Sequence, residues 1–122
     1  MIVVAIIAIL AAIALPAYHN YILRTKIRLA QSDLLTLATN VESFRQRTLA
    51  YPADQEQAER GWNPASDAAD FSFSFESEDG GYLLSATASD QLGKAAKCVL
   101  SVDDGHARNV GSECSRVGVT DW

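Results

Sequence analysis

Charged side chains are missing from the first eighteen residues, MIVVAIIAILAAIALPAY, and the first lysine or arginine is Arg24. This absence excludes an ordinary water-exposed surface segment, because only lipid or a packed helical core tolerates such an apolar run. As a helix, residues 1–18 span about 27 Å, slightly less than a hydrocarbon core of about 30 Å. The segment predicts a chain that is anchored in a membrane or assembles with other chains.

An excess of positive charge is also missing. The formal net charge is -5, and the residues after Arg28 carry seven basic and fifteen acidic groups. A surface of this sign repels phosphate backbones. The composition therefore disfavours direct nucleic acid binding by the polar part of the chain.

Catalytic signatures are absent from the sequence, which has no G-x-S-x-G or comparable nucleophile motif. We predict no catalytic residue, no cofactor and no metal site, and hence no enzyme. Glu76, Glu78 and Asp79 cluster at one turn, but their spacing matches no EF-hand loop. A solvated acidic turn is the favoured interpretation, and calcium binding stays open.

Cysteine is scarce, with Cys98 and Cys114 enclosing fifteen residues. An even number of cysteines in a small domain beyond an apolar segment predicts a disulfide and an oxidising compartment. A bridge over such a loop contributes about 3 kcal/mol. Two reduced, packed thiols are the alternative.

Apolar residues recur in steps of four and three from residue 23 onward, which is typical of a helix with one buried stripe. The stripe consists of Leu23, Ile27, Ala30, Leu34, Leu37, Val41 and Phe44. Because Pro52 disfavours helical geometry at Tyr51, we expect the helix to end near Ala50. Pro16 predicts a kink, with a tolerated membrane-helix proline as the alternative.

The sequence thus divides into an apolar half-helix (1–22), an amphipathic half-helix (23–50) and a globular head (51–122). Within the head, Trp62 is expected to anchor an ordered loop. Alternating phenylalanines from Phe71 predict a strand, and residues 82–88 predict its hairpin partner. Two further strands are expected at 98–102 and about 106–110. The fold class is α+β, with a long helix packed against a small antiparallel sheet.

The orientation of the apolar half-helix raises a conflict. Arg24, Lys26 and Arg28 follow it and would place that side in the cytoplasm, whereas the disulfide requires an oxidising compartment. Additional positive charge upstream of Met1 would resolve this conflict. We therefore expect the natural chain to begin before Met1.

The run MIVVAIIAILAAIALPAYHNYI resembles the conserved N-terminal helix of type IV pilins over residues 1 to about 24. The long helix, loop, antiparallel sheet and Cys98–Cys114 region are also similar to that family, and most like PilE-type minor pilins. The resemblance implies a basic leader that is cleaved by prepilin peptidase, followed by methylation of the new N-terminal residue and a nearby glutamate. All of these would lie upstream of Met1.

The resemblance further implies the partners and location of the chain. Other major and minor pilins would contact its N-terminal helix, after storage in the inner membrane with the head in the periplasm. The extracellular filament is the final location. Arg24, Lys26 and Arg28 would contact lipid headgroups before assembly and acidic side chains of adjacent subunits afterwards; a merely solvated helix face is the alternative.

The predicted function is that of a minor pilin, which primes assembly and thereby influences adhesion, twitching motility and DNA uptake. A major pilin and a type II secretion pseudopilin are alternatives within the same superfamily. An alternative from another class is a single-pass membrane-anchored periplasmic binding domain without a filament.

Overall fold

The computed structural model describes the backbone of residues 1–78 and 80–122, and the side chains of these residues except Pro16 and Ala17. The predicted kink at Pro16 and the Asp79 of the acidic turn therefore lie outside the described residues. Within the described part, a long helix packs against a four-stranded antiparallel sheet. The α+β prediction is confirmed.

Helix α1, Ile2–Thr48, carries the predicted apolar stripe on the side that packs against the sheet. Phe44 is half-buried, and the other six members are buried: Leu23, Ile27, Ala30, Leu34, Leu37 and Val41. The helix ends two residues before Ala50, because Leu49 adopts a left-handed conformation with φ 63°. The Leu49 N–H donates to the Arg45 carbonyl and closes the last turn.

The sheet consists of consecutive antiparallel strands in the order β1-β2-β3-β4. Their bounds are β1 Phe71–Glu78, β2 Gly81–Ala88, β3 Val99–Asp103 and β4 Arg108–Val110. Phe71 pairs with Ala88, so β1 and β2 form the predicted hairpin. The third strand starts one residue later than predicted, and the fourth is shorter, because residues 104–107 form a turn and irregular backbone.

The segment between α1 and β1 includes helix α2, Gln55–Glu59, whose N-terminus is capped by the Asp54 side chain. The Trp62 indole N–H donates to the Thr36 hydroxyl at 2.9 Å, and its ring lies edge-on to Phe73. Trp62 thus anchors the loop between helix and sheet, as predicted.

Residues 90–98 and 112–118, which the disulfide joins, are called the disulfide-linked region and contain two 3₁₀ helices, η1 (Asp90–Ala95) and η2 (Ser112–Val117). Cys98 and Cys114, both fully buried, form the predicted bridge between the segments that carry them. The chain then returns across α1, where the Gln31 amide donates to the Asp121 carbonyl. The Trp122 indole N–H donates to the Asn109 carbonyl on β4.

Candidate functional site: the exposed half-helix and the cationic end of the head

The first half of α1 is exposed, in contrast to the second. Ile13 is 68% exposed, whereas Ile27 is fully buried. Nine large aliphatic side chains are exposed before residue 16: Ile2, Val3, Val4, Ile6, Ile7, Ile9, Leu10, Ile13 and Leu15. Their burial against lipid or other helices would contribute on the order of 15 kcal/mol.

This half-helix satisfies the length and composition of a membrane span. Among the described residues, one helix does so, with a mean hydropathy of 2.4 over an eighteen-residue window that has no buried residue. Tyr18 and Tyr21 follow the aliphatic run and are exposed. Tyrosines at such a position are typical of the boundary between hydrocarbon and headgroups.

The head begins without a linker after this boundary. Leu23 is 3% exposed and is the first buried residue of the described chain. The Arg24 guanidinium lies beside Gly118. If that glycine carried a Cβ, the added atom would lie 3.8 Å from Arg24 Nη1. The apolar half-helix and the head are therefore joined by one uninterrupted helix. The change from exposed to buried side chains takes about one turn.

The three cations that the sequence groups together occupy two environments. Arg24 and Arg28 are exposed, whereas the Lys26 ammonium lies 3.3 Å from the buried Asp70 carboxylate, which directly precedes β1. Helical geometry explains the separation. About the helix axis, Lys26 is rotated by about 200° from Arg24, whereas Arg28 is rotated from Arg24 by only about 40°. Contacts of these residues with lipid or other subunits stay a prediction.

Three cations of the disulfide-linked region lie at the same end of the head. Lys94 belongs to η1, Arg116 to η2, and Lys97 connects η1 to the disulfide; all three are exposed. The Lys97 N–H donates to the Ala88 carbonyl, and Ala88 pairs with the first residue of β1, next to Asp70. We call the set of Arg24, Arg28, Lys94, Lys97 and Arg116 the cationic end.

The opposite end of the head carries acidic side chains together with Arg45 and Arg47 of the last turn of α1. Glu78 and Asp104 line one open pocket together with Ser77 and Gly81. A Cβ at Gly81 would overlap the Asp104 carboxylate, so a larger residue there would require the Asp104 side chain to move. Among the described residues, no group of three or more His, Cys, Asp or Glu could hold a metal ion.

Two acidic residues of α1 hold the head together, and the sequence analysis missed both. Asp33 is 4% exposed, and its carboxylate accepts the N–H groups of Ala65 and Ser66, each at 2.8 Å. Glu42 Oε1 accepts the hydroxyls of Tyr51 and Tyr82, each at 3.3 Å. A signal existed, because both acids directly flank members of the apolar stripe and so lie at the edge of the buried side.

Burial raises the pKa of the Tyr82 phenol above its ordinary value near 10, and the nearby Glu42 carboxylate raises it further. The unfolded chain ionises Tyr82 near pH 10, whereas the folded chain keeps the proton. We therefore expect the free energy of unfolding to fall as the pH rises above 10. In Tyr82→Phe this fall should be shallower, as measured by urea denaturation between pH 8 and 11.

Tyr51→Phe is the matched control for this prediction. Tyr51 is half-buried and binds the same carboxylate, so its removal should change the pH dependence less. Identical pH profiles for Tyr82→Phe and the unmodified chain would contradict the assignment.

A long N-terminal helix whose second half packs on a four-stranded antiparallel sheet is the α+β fold of type IV pilins. Residues 16–100, more than half of the chain, match the family model described as "Type IV minor pilin ComP, DNA uptake sequence receptor". The chain belongs to this family of type IV minor pilins.

Individual relatives match a shorter part of the chain. Two fimbrial proteins of Pseudomonas aeruginosa are each 56% identical to it over 43 residues, which cover 35% of this chain and 28% of the relatives. The matched part thus spans less than a third of the relatives' own length. No solved structure matches the chain.

Proposed function

We propose that this chain is a minor subunit of a type IV pilus. The apolar half-helix holds it in the inner membrane with the head in the periplasm, and later joins the helical core of the filament beside other pilins. The observation that carries the proposal is the exposure of nine large aliphatic side chains on a helix that continues into a packed head. Family membership and the fimbrial relatives support it.

The apolar half-helix and the head have different roles in this function. The apolar half-helix supplies cohesion in a filament outside the membrane, because burial of its side chains against neighbouring helices keeps a large apolar surface out of contact with water. The head faces outward and selects the subunits that follow. As a minor subunit, the chain primes assembly and so affects adhesion, twitching motility and DNA uptake.

Incorporation of full-length protein into filaments tests this function. We expect the protein in sheared surface filaments at a small fraction of the main subunit, and we expect Ile7→Asp to reduce its share more than tenfold. A carboxylate at the centre of an apolar helix costs about 3 kcal/mol in hydrocarbon. Ile7→Leu keeps the apolar character and should incorporate normally.

The remaining outcomes separate the alternatives. A dominant share in the filaments identifies a major pilin, and retention in the periplasm with loss of protein secretion on deletion identifies a pseudopilin. Complete absence from filaments, together with normal pili in a deletion strain, identifies a membrane-anchored binding domain and overturns the proposal.

DNA reception is a second candidate function, favoured by the description of the family as a DNA uptake sequence receptor. The charge of the head opposes it, since residues 49–122 carry thirteen acidic and five basic side chains. Binding of a fluorescent duplex to the full-length protein in neutral detergent, measured over a range of salt concentrations, tests it. If contacts to the phosphates supply the affinity, the logarithm of the binding constant falls linearly with the logarithm of the salt concentration.

A further inference from the structure

The cationic end and the apolar half-helix lie next to each other, so one part of the molecule presents both apolar and cationic surface. The last apolar residue before the first cation is Leu23, which already belongs to the core of the head. A span from residue 2 that fills a hydrocarbon core of about 30 Å ends near Tyr21, so Arg24 lies about one helical turn above the hydrocarbon boundary. That height corresponds to the headgroup layer, which is about 5 to 8 Å deep on each side of the core.

The disulfide-linked region brings further cations to this height. Arg24 lies against Gly118, two residues after Arg116, and the Cys98–Cys114 bridge joins the segments that carry Lys94 and Lys97 to η2. Coulomb interactions extend over about 8 Å at physiological salt. The cations of the head are thus within electrostatic range of lipid phosphates.

The balance of charge at this end favours an anionic partner. Four acids lie nearby in the described chain, Asp67, Asp90, Glu113 and Asp121, against the five residues of the cationic end, while Lys26 and Asp70 compensate each other. The opposite end of the head carries the acids Glu78 and Asp104 together with Arg45 and Arg47 of the last turn of α1, so its charges are mixed. The apolar half-helix adjoins the cationic end and not this one.

We infer that the cationic end binds the headgroups of anionic phospholipids and holds the head in one orientation on the membrane before assembly. This inference rests on the proposed function, because it requires that the apolar half-helix lies in a bilayer. Arg24 and Arg28 extend from α1 toward the phosphates, while Lys94, Lys97 and Arg116 add a second line of contact from the head. Two lines of contact fix rotation about the helix axis, which a single helix cannot do.

Hydrogen exchange of the full-length protein in lipid nanodiscs tests the inference. We compare discs of phosphatidylcholine with discs that also contain phosphatidylglycerol. In the anionic discs, exchange in residues 90–97 and 112–118 should be slower by about fivefold, the factor that corresponds to the attraction of one cation to an anionic surface. High salt should abolish the difference.

Two double variants with equal charge change separate this contact from a general charge effect. Lys94→Gln with Arg116→Gln should lose the lipid-dependent protection, whereas Arg47→Gln with Arg60→Gln should retain it. All four side chains are exposed, so both variants should fold normally. Equal exchange in the two kinds of disc, or equal loss in the two variants, would overturn the inference.

Duplex DNA is the competing partner for the same cations. Protection of these segments by duplex in neutral discs, with no effect of anionic lipid, would assign the cationic end to nucleic acid and overturn the inference. Failure of the protein to enter any nanodisc would instead count against the proposed function. Normal filament incorporation without lipid-dependent protection would refute the inference alone.

Discussion

Asp33→Ala is expected to lower the free energy of unfolding of the head by about 3 kcal/mol. The carboxylate is buried between α1 and the loop, where it accepts two backbone N–H groups at 2.8 Å. Its removal leaves those donors without a partner, and each buried donor that loses its bond costs about 1 to 3 kcal/mol. Urea denaturation of the detergent-solubilised protein, followed by tryptophan fluorescence, measures the effect.

Ser32→Ala provides the matched control, because Ser32 is the exposed neighbour of Asp33 on the same helix. Its effect should stay within about 0.5 kcal/mol. Asp33→Asn keeps one carbonyl acceptor, so its free energy of unfolding should fall by about half as much as that of Asp33→Ala. If Asp33→Ala unfolds at the same urea concentration as Ser32→Ala, the carboxylate does not hold the loop.

Removal of the disulfide by the double variant Cys98→Ala, Cys114→Ala is expected to cost about 3 kcal/mol. The bridge closes a loop of sixteen residues in sequence separation, and an opened loop of this size gives the unfolded chain that much additional entropy. Both cysteines are fully buried, so the substitution also leaves small cavities. The midpoint of urea denaturation again provides the measurement.

A reducing agent supplies the control for this second prediction. The unmodified protein should lose a similar amount of stability after reduction, whereas the double variant should not respond. A double variant that still loses stability in reductant would show that the effect does not come from this bond.

Local periodicity accounts for what could be predicted of the fold. The spacing of four and three from Leu23 to Val41 determines which side of α1 is buried, and the alternation from Phe71 determines the strand of the first hairpin. The ends of the third and fourth strands could not be predicted to the residue, because they depend on a turn across which the Asp103 N–H donates to the Ala107 carbonyl, and the composition does not specify that turn.

The contacts that organise the site depend on residues distant in sequence. Asp33 binds a loop more than thirty residues later, and Lys26 binds Asp70, forty-four residues later. Such pairs leave no periodic signal, so the three cations near the apolar half-helix appeared equivalent. The rotation of 100° per residue along a helix could have separated Lys26 from Arg24 and Arg28.

The absence of a linker between Tyr21 and Leu23 has a mechanical consequence. A helix that enters the head without a linker transmits torque as well as tension, so rotation of the residues just before Leu23 rotates the head through the same angle. In the proposed filament, the direction in which the disulfide-linked region faces would consequently be set by side-chain packing along the filament axis, far from the surface that a partner meets.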